Sequence, residues 1–167
     1  GNCYIEKIES GPSRCVFRIT KEMKLPKEMI INSVSQTRSD DYEICTAVFE
    51  VGLSEGNRFA DIKLTFCNNV KDHRLRLAMP TYTDSERYFA GQAFYCCDRK
   101  ADIDYDTENW IEPEQYEKSM NGIMGRRDEE GNGLAFVSAK GLHEVGSTND
   151  ENSTMYVTLL RSFWKTV

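Results

Sequence analysis

The chain of 167 residues is long enough for one compact domain that buries roughly 70% of its unfolded surface. Its composition, 40% apolar and 29% charged with 11 Gly and 4 Pro, excludes collagen-like, low-complexity and disordered classes. With 21 basic against 27 acidic residues, a net charge of −6, it has no electrostatic footprint for nucleic acid or anionic lipid, so neither is an expected partner.

The longest stretch without Asp, Glu, Lys or Arg is residues 88–97, ten residues, short of the ~18 of a membrane span. The start, Gly1-Asn2-Cys3-Tyr4, carries no initiating Met, basic n-region or apolar h-region, so an excised piece of a larger protein is expected rather than a secreted one. Cys3, Cys15, Cys45, Cys67, Cys96 and Cys97 form no C-x-x-C pair, and most sit in alternating apolar runs. They are expected to be reduced, core-filling thiols of a cytoplasmic protein.

Period-two alternation dominates. In residues 13–20, Cys15, Phe17 and Ile19 oppose Arg14, Arg18 and Thr20. In residues 42–53, Cys45, Ala47, Phe49 and Val51 share a side, and Ser54-Glu55-Gly56-Asn57 then reads as a hairpin turn. Ile62, Leu64 and Phe66 follow. Leu75, Leu77 and Met79 alternate with Arg74, Arg76 and Ala78 until Pro80 removes a backbone donor. Residues 93–97, 134–139 and 155–160 complete a set of about eight to ten strands, which predicts an all-β antiparallel sandwich in a single domain, 1–167. Residues 98–130 break the rhythm. They are acidic, carry Tyr105, Trp110 and Tyr116, and are expected to be a long excursion from the sandwich.

Signatures of catalysis are missing. His73 and His143 have no second His or Cys at ligand spacing, so no metal site is expected, and His73 is expected to bond its neighbour Asp72. Asp102, Asp104, Asp106 and Glu108 alternate like a calcium loop, yet Thr107 and Pro113 stand where that loop needs Gly and Glu. No G-x-S-x-G elbow and no phosphate-cradling loop occur. Two features suit ligands. Trp110, with Tyr105 and Tyr116, could stack on a sugar ring or fill an interface. Arg74 and Arg76 place two fork-shaped donors on one polar strand face, open either to a ligand or to cross-strand acids, with the ion pair favoured for Arg74.

The run Cys67-Asn68-Asn69-Val70-Lys71-Asp72-His73-Arg74-Leu75-Arg76-Leu77-Ala78-Met79-Pro80-Thr81 resembles the C-terminal β-sandwich region of the family 38 glycoside hydrolases, the α-mannosidases and mannosylglycerate hydrolases. There an N-x-x-x-D-H-R-L-R stretch leads into Pro-Thr. Phe94-Tyr95-Cys96-Cys97-Asp98-Arg99 is similar to an F-x-V-x-x-R strand end, and Trp110-Ile111-Glu112-Pro113 to a W-x-E segment. Gly133-Leu134-Ala135-Phe136 and Gly141-Leu142 resemble the family's G-L-A strand pair, and Thr158-Leu159-Leu160-Arg161-Ser162 closes the series. The similarity spans residues 11–162. Departures fall at Cys96, at Leu77-Ala78-Met79 before Pro80, and at the short Gly141-Leu142-His143-Glu144-Val145 ending.

This resemblance implies a galactose-mutarotase-like supersandwich, present here in whole or in part. It implies a retaining α-mannoside hydrolase whose nucleophile, acid/base and divalent metal, with zinc expected, all belong to an N-terminal α/β barrel outside this sequence. The implied partners are that barrel and a mannoside or oligosaccharide. No catalytic residue and no metal ligand is expected in the chain itself. Arg99 is the first expected substrate-binding residue, because the family's matching strand-end arginine lies towards the active site, and an interdomain salt bridge at Arg99 stays open beside that role; Arg76 is the second, and Trp110 joins them from the stacking reading. Two other readings stay open: a stand-alone carbohydrate-binding sandwich built on Trp110, and an architectural module that self-associates into a homo-oligomer.

Overall fold

A computed structural model describes residues 1–111, 114–139 and 141–163. Among these the regular structure is entirely β, in fourteen strands. No helix is long and apolar enough to cross a membrane. Where the sequence reading expects one domain, the chain forms two compact units, Arg74–Arg161 and a unit made of Gly1–His73 with the residues from Ser162 onward.

The first unit is built on β1 (Cys3–Ser10), β2 (Arg14–Pro26), β5 (Tyr42–Ser54) and β6 (Ala60–Cys67), in the order β1-β2-β5-β6. β3 (Met29–Ile31) and β4 (Gln36–Arg38) form a separate hairpin within the β2–β5 connection. Neighbours in the four-stranded sheet are antiparallel, so residues directly opposite share a face. Glu6, Arg18, Glu50 and Lys63 thus form one rung of alternating charge across all four strands. Its ion pairs measure 3.1, 3.0 and 3.4 Å. The opposite face repeats apolar rungs: Ile5-Ile19-Phe49-Leu64, then Phe17-Val51-Ile62 with Lys7, then Cys15-Leu53-Ala60 with Ser10.

The predicted turn after β5 is present, with Gly56 in the left-handed region at φ 76° and the Asn57 N–H donating to the Ser54 carbonyl at 3.2 Å. Asp72 also adopts positive φ, 56°. This aims its Oδ2 at the Met29 N–H, 3.0 Å, while its carbonyl accepts from the Arg38 guanidinium, so Asp72 fastens both strands of the β3–β4 hairpin. Its carboxylate is therefore not the partner of His73, whose Nδ1 instead faces the Lys71 carbonyl at 3.4 Å.

The second unit is a sandwich of two four-stranded sheets. One has the order β10-β13-β14-β7, from β7 (His73–Pro80), β10 (Lys118–Ser119), β13 (Glu144–Ser147) and β14 (Thr154–Ser162). The other has the order β12-β11-β8-β9, from β8 (Arg87–Gly91), β9 (Cys96–Lys100), β11 (Ile123–Arg127) and β12 (Gly133–Val137). Tyr88, Ala90 and Met124 from the second sheet meet Val145, Met155 and Val157 from the first in a buried cluster closed by Ala101 and Met120. Methionine fills this irregular space because its unbranched side chain adapts to it.

Several expectations are corrected. Residues 98–130 are not one excursion: they hold the end of β9, β10 and all of β11, which leaves residues 101–111 and 114–117 outside the strands. The strand expected at 93–97 starts later, at Cys96, because Gln92 and Tyr95 close a hairpin turn through a 2.8 Å backbone bond. Of the six free cysteines only Cys45 is buried, while Cys3, Cys67 and Cys96 are exposed on strands that offer one side to solvent.

Candidate functional site

The short strand β10 collects the polar side chains of the second unit. Arg74 and Arg76 lie two residues apart on β7 and so project to the same side. Both reach Glu117, the residue before β10, Arg76 through Nη1 at 3.0 Å and Arg74 in a closer ion pair. Arg76 also stacks over the Tyr156 ring of β14, its guanidinium carbon 4.7 Å from the centroid. Burial raises the pKa of Glu117, but the Arg74 hydrogen bond, its own backbone N–H and the two arginine charges outweigh burial and hold the carboxyl below the ordinary glutamate range.

A second carboxylate, Glu144 of β13, accepts from Thr158 Oγ1 at 2.7 Å and Arg161 Nη1 at 2.6 Å, with Arg74 Nε at 3.7 Å. Arg74 thus bridges two mostly buried carboxylates. Glu117, Glu144, Thr158 and Arg161 line a groove of about 470 Å³ together with Lys118 and His143.

Arg99 approaches β10 from the other sheet. Its Nη1 donates to the Ser119 carbonyl at 3.0 Å, and Gln92 Nε2 donates to the same oxygen at 2.9 Å. Burial works against the Arg99 charge, yet hydrogen bonds to Tyr88 and Cys97 hold its pKa above the ordinary value. Burial and the charge of Arg99 together lower Lys118, whose ammonium pairs with Glu114.

Two of the three predicted site residues are therefore brought together, Arg76 onto Glu117 and Arg99 onto Ser119, on either side of Lys118. Trp110 is not joined to them by any contact among the described residues. It lies half-exposed in the loop with the Tyr105 ring 5.9 Å away, centroid to centroid, at a tilt of 34°. Tyr116 is exposed nearby in sequence without joining that pair, and the Glu112 and Pro113 of the W-x-E segment lie outside the described residues. Glu117, Glu144 and Ser119 escaped the sequence reading. Its only signal was the expectation that Arg74 would find an acid, which left the acid unidentified.

A larger recess of about 1210 Å³ is lined by Glu86, Asp98, Asp128, Glu129 and Glu130, with Arg87 and Arg127 among them. Asp98 is already paired with Arg87 at 2.5 Å. Two carboxylates of the predicted acidic run are likewise engaged, Asp102 by Asn149 at 2.7 Å and Asp104 by Lys100. Among the described residues no three His, Cys, Asp or Glu side chains gather as metal ligands.

Comparison with solved structures bears on the whole of this arrangement. An α-mannosidase from Enterococcus faecalis V583 matches 96% of the chain with a TM-score of 0.81 at 20% identity. The chain has the fold of that segment. A protein in the glycosyl hydrolase family 38, also from Enterococcus faecalis, matches over the same 96% with a TM-score of 0.78 at 20% identity. The chain spans only 19% of the length of each. No family model and no curated protein matches the sequence.

Proposed function

We propose that this chain is the non-catalytic C-terminal β-sandwich portion of a retaining α-mannosidase-type glycoside hydrolase, one that packs on the catalytic barrel and lends side chains to the sugar-binding cleft. The supporting observation is the likeness of 96% of the chain to a fifth of the length of an α-mannosidase, joined to the ordered motifs around residues 67–81 and 94–99. In this reading the barrel holds the divalent metal, expected to be zinc, and both carboxylates of a double displacement. The protein is cytoplasmic, and its substrates end in α-mannose.

The role of this chain is placement. Arg99 and Gln92 converge on one carbonyl of β10, so a mobile arginine becomes a fixed one that offers its remaining N–H groups to a sugar hydroxyl or an active-site acid. Arg76 does the same through Glu117 and Tyr156. In the complete enzyme, Arg99→Ala is expected to lower kcat/KM on an aryl α-mannoside by about ten- to a hundredfold with little loss of thermal stability. Unchanged kinetics would make Arg99 purely structural.

The exposed Tyr105–Trp110 pair supports a second reading, a carbohydrate-binding sandwich that works by stacking. Calorimetric titration of the chain with mannose and oligomannosides would then show saturable heat that Trp110→Ala abolishes. A flat titration removes this reading.

A further inference from the structure

The four-stranded sheet of the first unit carries a charge rung on one face and continuous apolar rungs on the other, and the apolar face is open. Ile5 is 68% exposed, Phe17 37%, Leu53 51% and Ile62 49%. These four are not scattered. By strand register Ile5, Phe17 and Ile62 lie in adjacent rungs, Leu53 lies in the next, and Ile19, Phe49, Val51 and Leu64 fill the positions between them. An apolar sheet face of this extent requires a covering layer, and contiguous exposed patches of such size mark interaction surfaces. The sole charge within these rungs, Lys7 on the edge strand β1, has no carboxylate partner among the described residues, whereas the charged rung behind it is paired across all four strands.

We infer that this face is an interdomain seat, covered by an apolar surface of another domain of the same longer polypeptide that presents a carboxylate to Lys7. The occupant is chosen by length: the solved chains that match carry about four-fifths of their residues outside the matched segment (100% − 19%). The inference rests on the proposed reading for the existence of that further domain and deepens it by naming the surface through which this chain docks.

Hydroxyl-radical footprinting of the intact longer protein tests it, with Tyr4 as internal reference, since Tyr4 is 56% exposed on the charged face of the same strand. Labelling of Ile5, Phe17, Leu53 and Ile62, corrected for intrinsic reactivity, is expected to fall several-fold below that of Tyr4 and to stay low on dilution. Labelling equal to that of Tyr4 overturns the seat. Protection lost on dilution, with a dimer-to-monomer shift in sedimentation, also overturns it by making a second copy the occupant. Concentration-independent protection in a protein without mannosidase activity keeps the seat and removes the proposed function. A natural reading frame with no further domain removes both. Ile62→Asp adds a second readout: the longer protein loses activity and thermal stability together if the seat is right, and neither changes if it is wrong.

Discussion

Arg126 carries its guanidinium into the sandwich with only 1% of the residue exposed, and among the described residues no carboxylate pairs with it. Nη1 donates to Ser147 Oγ at 2.9 Å and the Thr148 carbonyl at 2.7 Å, and Nη2 to the Ser85 carbonyl and Asn149 Oδ1. Nε has no partner. Burial lowers its pKa, with the more distant charges of Asp150 and Asp102 opposing. Neutral oxygens thus solvate a buried charge and in return are fixed by it, which holds the end of β13 against the approach to β8. Arg126→Ala is expected to destabilise the chain by about 3–5 kcal/mol in denaturant titration, because it orphans several buried acceptors at once. Arg126→Met, which keeps the volume but not the donors, is expected to lose less than Arg126→Ala. Equal stability of wild type and Arg126→Ala would show that water replaces the whole fork. This residue also explains a failure of sequence reading. An arginine at an interior position leaves Ile-Met-Gly-Arg-Arg with no visible alternation, so β11 is illegible within the acidic stretch.

The elements that sequence shows best are those with one polar and one apolar side. β2, β5, β6 and β7 are legible because each alternates over five residues or more, whereas β14 shows itself as an apolar run buried on both sides. β10, with two residues, has no period to read, although it organises the candidate site. The same holds for Glu117 and Glu144. Their importance comes from Arg74, 43 and 70 positions earlier in the chain, and no local pattern encodes that distance. β8 and β11 show a different constraint. Gly125 stands opposite Phe89 in the register, and the Phe89 ring occupies the space where a side chain at 125 would begin. Gly125→Val is therefore expected to cost roughly 1–3 kcal/mol by overpacking, measured as a lowered denaturation midpoint, and Phe89→Ala is expected to relieve part of that loss. A Gly125→Val chain as stable as the parent would mean that the ring swings away freely.

Across the whole chain, fold class was readable and domain organisation was not. Alternation and turn spacing give antiparallel sheets wherever they occur, but they carry no record of which strands share a sheet. β7 follows β6 by a short link, yet the two belong to different units, and nothing in residues 68–72 is rich in Gly, Pro or Ser as a linker would be. Asp72 takes over that function. Its left-handed backbone ends the first run of the chain while its oxygens hold β3 and β4.

The Arg74–Arg161 unit is entered on β7 and left on β14, which are neighbours in its sheet. Arg74, its first residue, and Arg161, its last, both reach Glu144, while at the far end of the same two strands the Thr81 and Tyr82 N–H groups meet the Asn152 carbonyl. Entry and exit therefore lie at one end of an adjacent strand pair. A tensile load applied through the rest of the chain would peel these strands apart like a zipper, one backbone bond at a time, rather than shear them together. The Arg74–Glu144–Arg161 bridge sits where such a zipper starts, as its catch.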